Sequence, residues 1–86
     1  MEYEWDEAKW RANLAKHEID FRAVEDFEWD SAHVEPSHRH GEQRYVATGY
    51  IGGRVHTIVF AERGRRTRII SLRKASSKEE KDYVEG

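Results

Sequence analysis

The sequence predicts an α+β domain in which two N-terminal helices pack on an antiparallel β-meander that a C-terminal helix follows. Three observations carry this reading. Apolar residues recur at helical spacing through about residue 28. The period changes to two from about residue 44. A Gly52-Gly53 pair separates two alternating runs. Helices segregated from a run of strands indicate α+β architecture.

The elements follow in order. A brief strand is expected at 2–5. Asp6 can cap a helix over 7–17, with Trp5 and Trp10 at the spacing of a hydrophobic staple. Asp20 can cap a second helix over 21–28, where Ile19 and Val24 repeat the staple and Phe21, Val24 and Phe27 recur at helical spacing. The segment 31–42 is polar, with Pro36 and Gly41 and a possible short strand at 32–35. Strands are expected at 44–51 and 54–62, joined by the two-glycine turn. After Arg63-Gly64-Arg65-Arg66 another strand covers 67–73, with Ile70 and Leu72 on one face and Ile69 on the other. Ser76 and Glu79 form a capping box for a last helix over 77–85.

The chain's 86 residues fit one domain, taken as 1–86. A domain of this size buries roughly 60–65% of the surface its unfolded chain exposes, so its core is thin. Apolar residues make up 37% of the chain, and three Trp, four Tyr and three Phe must supply much of that core. The absence of cysteine excludes disulfides and thiolate metal sites, and points to the cytosol. Neither a membrane span nor a signal peptide is present in the sequence. A thin core without disulfides also favours a homodimer or a tight partner.

The net charge of −2 conceals an asymmetry. Residues 1–43 hold 12 acids and 5 bases, net −7, whereas residues 44–86 hold 5 acids and 10 bases, net +5. An anionic partner for the second half is one implication, and a solvated surface with scattered ion pairs is the other. The basic residues concentrate at Arg63, Arg65, Arg66, Arg68, Arg73, Lys74, Lys78 and Lys81. Arginine suits phosphate because its planar fork donates two parallel hydrogen bonds. The competing reading is a strand edge kept from aggregating by its charge. Strand alternation puts Arg73 with Ile69 and Ser71, and Arg68 with Ile70 and Leu72, which divides this ridge between two faces.

On the first helix Lys9, Asn13, Lys16 and His17 share one side, next to Trp10 and Leu14 turned to the core. Such a stripe lines a cleft or is a plain solvated face, with His17 favoured at the helix C-terminus. His33, His38 and His40 lack the acid or cysteine that would complete a metal-ligand set, so no metal and no cofactor is expected. Neither a serine elbow nor a glycine-rich phosphate loop is present.

Two blocks of the sequence resemble the BrnT toxin family. The first runs Trp5-Asp6, Lys9, Asn13, Lys16-His17, Ile19, Phe21 and Ala23. The second is Arg68-Ile69-Ile70-Ser71, then Arg73-Lys74-Ala75. Glu42, Arg44, Gly49, Glu79 and Tyr83 fit the same pattern, and the arginine-rich loop Arg63–Arg66 departs from it. The resemblance implies a RelE-like fold and a ribonuclease toxin of a type II toxin–antitoxin pair. It also implies neutralisation by a BrnA-type antitoxin with a ribbon-helix-helix, within a heterotetramer that contacts operator DNA through the antitoxin. A non-nucleolytic toxin, or an inactive nucleic-acid- or protein-binding module, is the alternative on the same fold.

RNA cleavage without a metal needs a proton removed from the 2′-hydroxyl, a stabilised phosphorane and a protonated leaving oxygen. That chemistry casts Arg44, Arg68 and Arg73 as phosphate contacts and Lys16 or His17 as acid or base. Arg63, Arg65, Lys74, Lys9 and Asn13 become further RNA contacts.

Overall fold

The computed structural model describes residues 1–37 and 41–86. Five strands form one sheet: β1 (Glu2–Trp5), β2 (His33–Ser37), β3 (Arg44–Ile51), β4 (Arg54–Arg63) and β5 (Arg66–Lys74). Helix α1 (Glu7–His17) follows β1, and α2 (Ser77–Glu85) ends the chain. The sheet order is β1-β5-β4-β3-β2. Strands β2 to β5 form the expected antiparallel meander. β1 adds to it in parallel, with Tyr3 opposite Thr67 and Trp5 opposite Ile69, so the sheet is mixed.

The second expected helix is a 3₁₀ helix at Phe21–Asp26, with a further 3₁₀ turn at Trp29–Ser31. The sequence explains the difference. Phe21, Val24 and Phe27 recur every three residues, which fits the three-residue turn of a 3₁₀ helix better than the 3.6 of an α-helix. Phe21 and Val24 are fully buried, while Phe27 leaves the helix and bridges to Ile51. Asp20 caps this segment through Arg22 N and also accepts from Trp10 Nε1 at 3.0 Å. The guanidinium of Arg22 holds the Asp20 carboxyl well below the usual carboxylate range.

The hairpin turn falls at Gly52 and Gly53, with φ of 56° and 79°. Positive φ at both central residues suits a type I′ turn, whose twist matches the flanking strands. Asp6 caps α1 through Lys9 N, and the capping box of Ser76 and Glu79 opens α2 as expected.

The core lies between the inner face of the sheet and the segment 19–29. It comprises Phe21, Val24, Phe27, Ala47, Ile58, Phe60, Ile69 and Leu72, with Trp5, Trp10 and Trp29 packed against it. Edge-to-face contacts tie Trp5 to Phe21 and Trp29 to both Phe27 and Phe60. Trp29 Nε1 donates to the Tyr3 hydroxyl at 2.7 Å.

The register breaks once, between Val59 and Phe60 of β4. Val59 faces Ser71 while Phe60 faces Ile69, which leaves Ile70 as an extra residue in β5. This bulge corrects the expected alternation: Ile69 and Leu72, three residues apart, both enter the core at zero exposure. Among the described residues, no helix is long and apolar enough to cross a membrane.

Candidate functional site

The bulge determines which arginines share a face. Thr57, Val59 and Ala61 alternate on the outer side of β4, and their partners in β5 are Arg73, Ser71 and Arg68. Arg68 and Arg73 therefore stand on one face, not on the two that simple alternation assigns. Across β4, Val46 pairs with Val59 and Thr48 with Thr57, and alternation puts Arg44 on that same side. Arg44, Arg68 and Arg73 thus surround a half-buried centre of Val46, Val59 and Ser71.

Each arginine of this face has an acidic neighbour. Arg68 Nη1 donates to Glu4 Oε2 at 2.7 Å, and Arg66 lies 3.8 Å from the same carboxylate. Arg73 donates from both terminal nitrogens to Glu79, at 2.7 and 2.9 Å. The pair holds the Glu79 carboxyl down at about 2 and raises the Arg73 guanidinium. Arg44 Nε is 3.9 Å from Glu42, and among the described residues this buried N–H has no hydrogen-bond partner. Arg63 donates to Glu42 at 2.8 Å at the rim. Arg65 and Lys74 are exposed.

Beside this face, at the open edge of β5 past the end of β1, lies a cleft of about 190 Å³. Lys9, Asn13, Lys16 and His17 of α1 line it with Ile70 and Ser71 of the bulge. The helical stripe read from the sequence therefore does face a cleft, but its members differ. Lys9 and Lys16 are exposed, and His17 is half-buried. Partial burial, then the charges of Lys16 and Arg73, push the His17 imidazole below its usual range.

Asn13 differs from the other three residues of the stripe. It is buried at 6% exposure and does not lie on a solvated face. Its amide nitrogen donates to Leu72 O at 2.8 Å and Ile19 O at 3.1 Å, and its oxygen accepts from Leu72 N at 3.1 Å. The side chain continues the ladder of β1 where that strand stops, so its polar atoms are already engaged in the fold. Leu14, expected in the core, is 39% exposed instead.

His33 contacts Glu35 at 2.9 Å on β2. His38 and His40 lie outside the described residues. Among the described residues no group of three or more His, Asp or Glu could hold a metal. Sequence reasoning missed Glu4 and Ser71. Glu4 reaches Arg68 only because the N-terminus pairs in parallel with β5, and Ser71 reaches the cleft only because of the bulge.

A family model described as the ribonuclease toxin, BrnT, of a type II toxin–antitoxin system matches residues 5–79. The chain belongs to the BrnT family. Its structure is similar to the crystal structure of the Brucella abortus ribonuclease toxin BrnT. The match has 34% identity and a TM-score of 0.74, and covers 90% of this chain and 99% of that one. No protein of curated function matches the chain. The span matched to BrnT reaches from Trp5 to Glu79 and so includes α1, the outer sheet face and the Arg73–Glu79 pair.

Proposed function

We propose that this BrnT-family protein is an endoribonuclease that cuts RNA without a metal and thereby inhibits translation. The observation that carries the reading is Arg44, Arg68 and Arg73 on one sheet face, beside a cleft that holds Lys16 and His17. Single-stranded RNA meets such a surface through phosphate contacts from arginine and through bases laid on the sheet.

In the proposed reaction His17, whose neutral form is favoured by partial burial and by the charges of Lys16 and Arg73, takes the 2′-hydroxyl proton. The 2′-oxygen then attacks the adjacent phosphorus, and Arg73 meets the charge that develops on the phosphorane. The bond from phosphorus to the 5′-oxygen breaks as Lys16 protonates the leaving oxygen. The products are a 2′,3′-cyclic phosphate and a 5′-hydroxyl. Arg44 and Arg68 hold neighbouring phosphates, with Arg63, Arg65, Lys74 and Lys9 as outer contacts. Asn13 supports the cleft by holding α1 to β5.

The same reading assigns a RelE-like fold, a cytoplasmic location and restraint by a BrnA-like ribbon-helix-helix antitoxin. The toxin forms a homodimer within a heterotetramer, and operator DNA is met through the antitoxin. Purified protein incubated with RNA in excess EDTA tests the enzyme. Cleavage to cyclic-phosphate ends supports it, and intact RNA supports the non-nucleolytic alternative.

A further inference from the structure

We propose that the groove between α2 and the edge strand β2 is a guanine-binding subsite, with Glu35 as the residue that selects the base. The proposal rests on the ribonuclease reading above and names what that site would recognise.

The groove has a volume of about 470 Å³ and lies on the outer face that carries the arginines. Val46 and Thr48 form its floor, His33 and Glu35 one wall, and Glu79 and Tyr83 the other. Sheet register fixes its place: His33 pairs with Thr48, Glu35 with Val46, and Thr57 with both Thr48 and Arg73. From His33 to Arg73 there are three strand spacings, about 14 Å at the backbone. Glu79 joins the two features, because it lines the groove and also grips the Arg73 fork. A nucleotide whose phosphate meets Arg73 therefore has its base directed to this groove.

The chemistry of the lining selects a base and rejects a phosphate. Three side-chain carboxylates border the recess, from Glu35, Glu79 and Asp82. Arg73 neutralises Glu79 and Lys78 neutralises Asp82, at 2.7 and 2.8 Å. Among the described residues Glu35 pairs only with His33, which carries charge only when protonated. Glu35 is therefore the carboxylate left to accept from a ligand. Guanine presents two adjacent donors, N1–H and the N2 amine, to the two oxygens of one carboxylate. Uracil presents a single N–H between two carbonyl acceptors. Recognition of splayed bases on their Watson–Crick edge, beside an aromatic ring, is the common mode for single-stranded RNA. Tyr83 supplies that ring in a set position: it meets Tyr50 edge-on at 5.5 Å and donates to Ser31 O at 2.6 Å.

The test is to sequence the cut ends that the wild-type protein and the Glu35→Gln and Glu35→Ala variants generate from a random RNA pool. The proposal expects guanine enriched next to the cut bond for wild type, with the preference reduced about tenfold to a hundredfold in both variants. Glu35 is on an edge strand and its side chain is exposed, so both variants should fold, which circular dichroism checks. A second arm changes no protein residue. Replacing that guanine by inosine, which lacks the N2 amine, should slow wild-type cleavage and leave the Glu35→Ala rate on the two oligonucleotides equal. Cleavage with no guanine preference, or with a preference that survives Glu35→Ala, overturns the subsite while the ribonuclease reading stands. Absence of cleavage by all three proteins overturns both.

Discussion

Glu79 meets Arg73 with both carboxylate oxygens, at 2.7 and 2.9 Å, from the first turn of α2. One of those oxygens also accepts from Ser76 N at 2.8 Å, as half of the capping box. A single carboxylate thus starts the last helix and fixes the guanidinium that the sequence singles out for phosphate. None of the residues of α2 is buried; this pair and the edge-on contact of Tyr83 with Tyr50 tie the helix to the sheet, and Tyr83 also donates to Ser31 O in the 3₁₀ turn.

The pair has a pH signature. The Glu79 carboxyl sits at about 2 in the fold against an ordinary 4.5, so its contribution to stability is complete above about pH 4.5 and disappears as pH falls towards 2. About a third of each side chain is exposed, which limits the contribution to about 1 kcal/mol. Urea midpoints measured from pH 6 to 2 should therefore fall more steeply for wild type than for Glu79→Gln. The two curves should converge near pH 2. Parallel curves would show that the pair adds nothing to stability.

Asn13→Ala should destabilise the protein by about 2–4 kcal/mol, because it leaves Leu72 N, Leu72 O and Ile19 O without their side-chain partner. Denaturant unfolding measures this directly. A loss under 0.5 kcal/mol would mean that water replaces the amide without cost.

Gly49→Ala tests the core from the other side. A Cβ at this position would lie 2.8 Å from Phe27 Cζ and 3.2 Å from the Ala32 Cβ. Phe27 is buried against Trp29, so it cannot retreat freely. The expected loss is roughly 1–3 kcal/mol, read from the shift in urea midpoint.

These residues also show how far the sequence could be read. The helix caps, the two-glycine hairpin and the capping box are local chemistry, and each falls where it was expected. The second helix is 3₁₀ and not α because Phe21, Val24 and Phe27 recur every three residues, a spacing that favours the tighter turn but also lies close enough to 3.6 to suggest an α-helix. The role of Asn13 and the parallel pairing of β1 depend on contacts some sixty residues apart, such as that with Leu72, which no local period encodes. The bulge at Ile70 leaves no local mark either, since Arg68-Ile69-Ile70-Ser71 reads as an ordinary alternating strand. It nevertheless decides that Arg68 and Arg73 share a face.

The proposed role of His17 as the base predicts a pH dependence of cleavage. Burial, Lys16 and Arg73 all favour its neutral form, so a base at this position stays active to a lower pH than an ordinary histidine. The acid limb of the single-turnover rate should inflect below pH 6.5 in wild type and be absent in His17→Gln, whose rate at pH 7 should be about 10²–10⁴-fold lower. An unchanged limb in the variant would remove His17 from the reaction.

The central claim is that Arg73 acts on the RNA and does not merely anchor α2. The most direct test is the single-turnover cleavage rate per folded molecule for wild type, Arg73→Lys and Arg73→Ala, with the folded fraction of each taken from its unfolding curve. A charge-assisted contact to phosphate, strengthened in the transition state, predicts a roughly tenfold to thousandfold loss for Arg73→Ala. Arg73→Lys should fall in between, because lysine keeps the charge and loses the fork. If Arg73→Ala melts well below wild type while its folded fraction still cuts RNA at the wild-type rate, the arginine is an anchor for α2 and the account is wrong.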